Sequence, residues 1–179
     1  MDEYLKEGEQ TKITKTIKDK ALAIEGNDFE FVIKTLAWIN KNIKYPAPEG
    51  VTKNKVFRKR TADQIIKDCY ATGCADFALV FVAIARAKGI PTKYVEVISK
   101  DYFNDNLDKV RGHVFAECLL KGNWYAIDPM GGNLKFNTRY SDYIVYAKGL
   151  DSWELGIFDI NSMRVKFKFF AKEYNSIVR

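Results

Sequence analysis

The apolar positions of this chain change their period once. Ile13, Ile17, Ala21 and Ile24 recur at helical spacing, and Val32, Leu36, Ile39 and Ile43 repeat it after Gly26-Asn27-Asp28, so two amphipathic helices open the chain. Asp28 is the expected N-cap of the second. Tyr45-Pro46-Ala47-Pro48-Glu49-Gly50 ends that region, because proline lacks the N–H a helix interior needs. A polar loop is expected to about Arg60, after which Thr61-Ala62-Asp63-Gln64 has the spacing of a capping box and starts a short helix. Over residues 74–88 apolar side chains occupy most of the helical circumference, the mark of a helix surrounded by protein, and Gly89 suits a left-handed C-cap.

From Thr92 onward the pattern becomes an alternation of β-branched and aromatic residues. Strands are expected at 94–98, 113–120, 124–128 and 141–146, with a last pair at 155–159 and 164–169. Helices first and strands afterwards predict an α+β fold, N-terminal helices and a central helix packed on an antiparallel sheet. The whole chain, 1–179, reads as a single domain, with C-terminal strands in 133–179 and neither repeats nor low-complexity segments.

Composition narrows the function classes. With 47% apolar and 14% aromatic residues over 179 positions, the chain can fill one core and is not of the disordered class. The net charge of +6 would suit an acidic partner. The basic residues are spread out, however, except in Lys53-Asn54-Lys55-Val56-Phe57-Arg58-Lys59-Arg60. That run is expected to be a solvated loop, with a docking surface for nucleic acid, anionic lipid or acidic substrate as the alternative; nucleic acid is not an expected partner. The longest apolar stretch, 77–85, is too short to span a membrane and is flanked by Asp76 and Arg86. The start lacks the basic-then-apolar order of a secretory signal, which predicts a cytoplasmic protein, although an exported protein trimmed of its signal would read the same way. Three cysteines, Cys69, Cys74 and Cys118, argue against a disulfide scaffold.

Three residues carry candidate chemistry. His113 is the only histidine, Cys74 follows Thr72-Gly73 where a turn gives way to the central helix, and Asp128 ends Trp124-Tyr125-Ala126-Ile127 ahead of Pro129. A cysteine reacts as its thiolate, and free N–H groups in the first turn of a helix favour that anion and could also bind an oxyanion. Asp76 in the same turn would oppose the thiolate unless its carboxylate turns back to cap Gly73, the expected role. His113 would take the thiol proton and later protonate a leaving amine. Whether Asp128 can orient it depends on register. A turn at Lys121-Gly122 pairs Leu120 with Asn123 and puts Asp128 diagonal to His113 at about 7–8 Å between backbones. A turn at Gly122-Asn123, locally as attractive, puts Asp128 roughly 13 Å along the strand and abolishes the contact. A Cys74-His113-Asp128 triad therefore predicts the first register. The competing reading is a zinc site of Cys69, Cys74, His113 and Cys118. Strand geometry opposes it, because His113 and Cys118 are five apart and point to opposite faces.

The motifs resemble those of the transglutaminase-like superfamily, a branch of the papain-like cysteine enzymes. The resemblance covers roughly 29–132 and rests on Thr72-Gly73-Cys74-Ala75-Asp76-Phe77-Ala78, Ala85-Arg86-Ala87-Lys88-Gly89-Ile90-Pro91, His113-Val114-Phe115-Ala116-Glu117 and Trp124-Tyr125-Ala126-Ile127-Asp128-Pro129. It implies a papain-like core with Cys74 as nucleophile, His113 as general base and acid, and Asp128 as the orienting group. It also implies acyl transfer through a thioester, with no cofactor or metal and a protein or peptide as substrate. Hydrolysis of a peptide, isopeptide or side-chain amide is the first expectation. A binding module without turnover and amine transfer onto protein glutamine are the alternatives. Phe115 stands where the family usually has tryptophan, and Tyr70, Thr72 and Gln64 are candidates for the second oxyanion donor. The polar segment 100–112 before His113 reads equally as a lid or as a plain connection. Gly131-Gly132 lets backbone approach a substrate or only turns the chain.

Overall fold

The computed structural model describes residues 2–104 and 111–178. After a 3-10 turn at Asp2–Leu5 come α1 (Lys15–Ala23) and α2 (Asp28–Asn42). Asn27, not Asp28, caps α2: its side chain accepts the Phe29 and Glu30 N–H groups while Glu30 returns a carboxylate to the Asn27 N–H. The expected loop to Arg60 contains a short helix, α3 (Lys53–Val56). Then α4 (Ala62–Asp68) starts at the Thr61/Gln64 capping box. The central helix α5 (Cys74–Ala87) is buried on all sides from Ala75 to Arg86. It is followed by Gly89 at a φ of 89°.

Five strands form one antiparallel sheet in the order β4-β3-β2-β1-β5. They are β1 (Thr92–Ser99), β2 (Gly112–Leu120), β3 (Asn123–Asp128), β4 (Asn133–Lys135) and β5 (Tyr143–Gly149). A short helix α6 (Asp101–Asn104) follows β1. Of the lid or connection at 100–112, residues 105–110 lie outside the described residues. Helix α5 packs on the sheet face carrying Tyr94, Val114, Ala116, Cys118 and Ile127, and α1, α2 and α4 pack around α5. The other face gathers Val95, Val97, Phe115, Ala126 and Tyr140.

The expected last pair of strands is absent. Residues 155–159 are turn and coil, and α7 (Ile160–Val178) replaces the strand at 164–169. The alternation of Val165, Phe167 and Phe169 mimics a strand, but only Phe167 is buried; Val165 and Phe169 are 69% and 63% exposed. Met163, Phe167 and Ala171 form the buried stripe at i, i+4, i+8. Asp159 and Ser162 cap the start reciprocally, Asp159 Oδ1 accepting the Ser162 N–H at 2.8 Å and Ser162 Oγ accepting the Asp159 N–H at 2.9 Å. The C-terminal part of the domain is thus two strands and a helix. The Phe167 ring sits against Gly112, where an added Cβ would lie 2.9 Å from Phe167 Cε2 and 2.7 Å from the Val97 carbonyl oxygen. Only glycine fits there, immediately before His113.

Candidate active site

Strands β2 and β3 pair with Leu120 opposite Asn123. Lys121 and Gly122 form the turn, both at positive φ (47° and 81°), which is the backbone twist a two-residue hairpin requires. Extending this register sets Asp128 across from Phe115 and diagonal to His113, and His113 Nε2 lies 3.1 Å from Asp128 Oδ1. Cys74 is the second side-chain hydrogen-bond partner of the imidazole. The structure therefore brings the three candidate residues together at one end of the sheet. Cys74, His113 and Asp128 are each only part-buried.

The electrostatics follow from this packing. Burial, the largest influence on His113, favours the neutral ring, but hydrogen bonds to Asp128 and Cys74 and the charges they carry outweigh it and raise the imidazole pKa to about 10. Burial pushes the Asp128 carboxyl upward. The hydrogen bond from His113, the Gly131 N–H and the imidazolium charge overcome it and hold the carboxyl below its ordinary range. Gly131 donates to Asp128 Oδ1 at 3.0 Å, and Gly132, at a φ of 67°, turns the chain toward β4. Gly131 thus anchors Asp128. Tyr143 of β5 stacks on the His113 ring at 6.1 Å between centroids, and Phe115 meets it edge-on at 4.6 Å. Aromatic walls on two sides limit the imidazole's freedom to rotate.

Asp76 does not cap Gly73 as expected. Its Oδ2 accepts the Thr72 N–H at 2.7 Å, the Thr72 hydroxyl at 2.8 Å and Arg60 Nη2 at 2.7 Å. The guanidinium of Arg60 also donates to Asp68 and to the Tyr70 carbonyl oxygen. Its pairing with Asp76 neutralises the carboxylate that would otherwise oppose a thiolate in the same helical turn. Arg58 is likewise internal. It sits at a φ of 59° and makes a bidentate pair with Glu96 at 2.6 and 2.8 Å while donating to Tyr94 Oη at 3.0 Å. Two of the five cations in the basic run, Arg58 and Arg60, are therefore buried beside α5, which corrects its reading as a solvated loop. No sequence motif marked them, since their acidic partners lie 38 and 16 residues away.

Among the oxyanion candidates, the exposed Gln64 side chain is turned back to cap its own helix, its oxygen accepting the Thr61 N–H, and both donors of Thr72 serve Asp76. In the first turn of α5 the Asp76 N–H goes to the Gly73 carbonyl oxygen at 3.1 Å, and the Cys74 N–H, on the residue that carries the sulfur, is the remaining candidate donor there. The fourfold cysteine-histidine set does not assemble. Cys118 is buried against Thr92 and Cys69 is exposed at the end of α4. Among the described residues no three His, Cys, Asp or Glu side chains are grouped as a metal site.

A cleft of about 180 Å³ adjoins the helix start, lined by Tyr45, Pro46, Ala47, Val51 and Thr72. A larger groove of about 520 Å³ lies between β5 and α7 and includes none of the three candidate residues. No helix of the described residues is long and apolar enough to cross a membrane.

The sequence pattern of the transglutaminase-like superfamily matches residues 15–129, which span α1 through Pro129 and include all three candidates. The chain belongs to this superfamily. No curated protein matches it. Among solved structures, the chain is similar to a proposed cysteine protease from Cytophaga hutchinsonii, with a TM-score of 0.61 and 21% identity, over 84% of this chain and 47% of the other. A proposed protease from Parabacteroides distasonis shares 20% identity over 70% of this chain and 24% of its own, at a TM-score of 0.48. The chain thus spans about half the length of the first of these and a quarter of the second. The first likeness gives the same α+β architecture, with helices packed on an antiparallel sheet.

Proposed function

We propose that this protein is a cysteine-dependent acyl-transfer enzyme, acting by hydrolysis on a peptide, isopeptide or side-chain amide, with Cys74, His113 and Asp128 as its catalytic residues. The observation that carries this reading is the imidazole of His113 held between a carboxylate at 3.1 Å and a thiol at the start of a buried helix. Residues that merely pack have no need of that order of groups.

In the reaction, the Cys74 thiolate attacks the carbonyl carbon and forms the C–S bond, while the carbonyl π electrons move to oxygen. The Cys74 N–H at the start of α5 receives the developing oxyanion, in line with the helix dipole. Collapse of the intermediate breaks the C–N bond, and imidazolium His113 delivers its proton to the departing amine. Asp128 keeps the ring oriented and stabilises its charged form through these steps. Neutral His113 then takes a proton from water as it attacks the thioester, and breaking the C–S bond releases the acid and regenerates Cys74. Superfamily membership and the fold shared with the Cytophaga hutchinsonii protein support the reading.

The test needs no substrate. Iodoacetamide alkylation of Cys69, Cys74 and Cys118 is followed by mass spectrometry from about pH 4 to 9, in the native protein and in His113→Ala. Cys74 is expected to react fastest below neutral pH and to slow in His113→Ala. Three thiols reacting slowly and alike would refute the proposal.

A further inference from the structure

We infer that the cleft of Tyr45, Pro46, Ala47, Val51 and Thr72 is the subsite that holds an apolar side chain of the acyl donor, so that the enzyme selects peptides carrying a leucine- to phenylalanine-sized residue on the acyl side of the scissile bond. The inference rests on the acyl-transfer reading above and specifies its substrate.

Position comes first. Thr72 forms part of the cleft wall and lies two residues before Cys74, so a group bound there is attached within a residue or two of a carbonyl at the sulfur. The opposite wall is fastened to the same segment by backbone: the Lys44 N–H donates to the Cys69 carbonyl at 2.9 Å, and the Ala71 N–H to the Lys44 carbonyl at 2.9 Å. The Tyr45 ring packs edge-on against Phe77, one turn into α5, at 6.3 Å. The wall and the nucleophile are therefore parts of one rigid unit.

Chemistry comes next. Four of the five lining residues present apolar surface, and Thr72 has both its N–H and its hydroxyl hydrogen committed to Asp76. The inner wall therefore offers no free Thr72 donor to a polar side chain, and it suits an apolar one. Size agrees, since about 180 Å³ is close to the roughly 150 Å³ apolar cavity that accepts benzene, and below the roughly 300–1,000 Å³ of sites for drug-sized ligands. The volume is that of one apolar side chain.

The geometry also separates the two sides of the substrate. The leaving amine must lie beside His113, which protonates it, and no residue of β2 or β3 lines the cleft. A group in the cleft is thus held by segments other than the strands that carry His113 and Asp128, as the acyl portion would be.

The experiment compares labelling of Cys74 by three acyloxymethyl ketones, acetyl-Gly-Gly, acetyl-Leu-Gly and acetyl-Gly-Leu, with iodoacetamide as the size-independent control. One leucine-bearing ketone is expected to label Cys74 about 10-fold or more faster than the glycine compound, the discrimination an apolar pocket supplies. Ala47→Trp, which fills the cleft, is expected to erase that preference, and Val51→Trp provides the same test should the first variant misfold. Equal labelling by all three ketones, or a preference that survives both tryptophans, overturns the subsite while leaving the acyl-transfer reading intact. If Cys74 is sluggish even toward iodoacetamide, the acyl-transfer reading fails and the subsite fails with it.

Discussion

Replacing Asp128 by asparagine keeps the shape of the side chain and removes its charge, and the single histidine makes the consequence directly measurable. In the native protein the carboxylate at 3.1 Å and the Cys74 sulfur together raise His113 from 6.5 to about 10 against the opposing effect of burial. An opposite charge this close moves a pKa by about 1–3 pH units, and each unit corresponds to about 1.4 kcal/mol. Asp128→Asn is therefore expected to lower the His113 midpoint by about 1–3 pH units, a loss of about 1.4–4 kcal/mol of preference for the imidazolium. The assay is an NMR titration of the one imidazole C–H pair from about pH 5 to 11, free of assignment ambiguity because no other histidine is present. The midpoint belongs to the coupled Cys74-His113 pair, so Cys74→Ala is titrated alongside. Linkage gives an independent reading. A folded-state pKa above the unfolded value means that the His113 contribution to stability is complete below about pH 6.5 and is lost as pH rises toward about 10. Urea midpoints should fall across that window in the native protein and fall less in Asp128→Asn. A native midpoint near 6.5, or one that asparagine does not move, would refute the electrostatic argument.

Two stability predictions follow from burial. Asp76→Ala removes the partner of a buried guanidinium and two acceptor contacts to Thr72, and should cost about 3–5 kcal/mol, whereas Asp68→Ala, at a side chain 41% exposed, should cost under about 1 kcal/mol; similar urea midpoints for the two variants would contradict this ranking. Phe167→Ala should cost about 3–5 kcal/mol, but Phe169→Ala only about 0.5 kcal/mol or less, because a helix separates two positions that a strand would place on one face. Comparable losses in thermal or urea denaturation would argue for the strand instead.

The N-terminal helices, the capping box at Thr61 and the buried helix from Cys74 were legible because periodicity and capping are local: each depends on residues within a turn or two. The candidate site was legible for a related reason. The helix start places Cys74, the strand places His113, and a triad requires one hairpin register. Yet Lys121-Gly122 and Gly122-Asn123 were equally good turns on local grounds. The competing turn would shift the pairing by two residues and leave the faces of β3 unchanged, so the local pattern could not separate the two; the folded hairpin, with Leu120 opposite Asn123 and Ala116 opposite Ile127, decides it. The error at 164–169 has the same origin. Six residues alternating Arg-Val-Lys-Phe-Lys-Phe fit a strand, and only the larger stripe Met163-Phe167-Ala171 and the Asp159-Ser162 cap show a helix.

By itself, then, the sequence determined the early helices, the thiol at a helix start, the imidazole on a strand and the acid after it, all properties written in neighbouring residues. Tertiary structure alone decided that Arg58 and Arg60 turn inward to Glu96 and Asp76, that Thr72 spends its donors on Asp76, and that Tyr45 to Val51 wall a cleft beside Cys74. The physical reason is that a buried charge must find its counter-charge wherever the chain brings one, and a cavity exists only between segments that the fold has already joined.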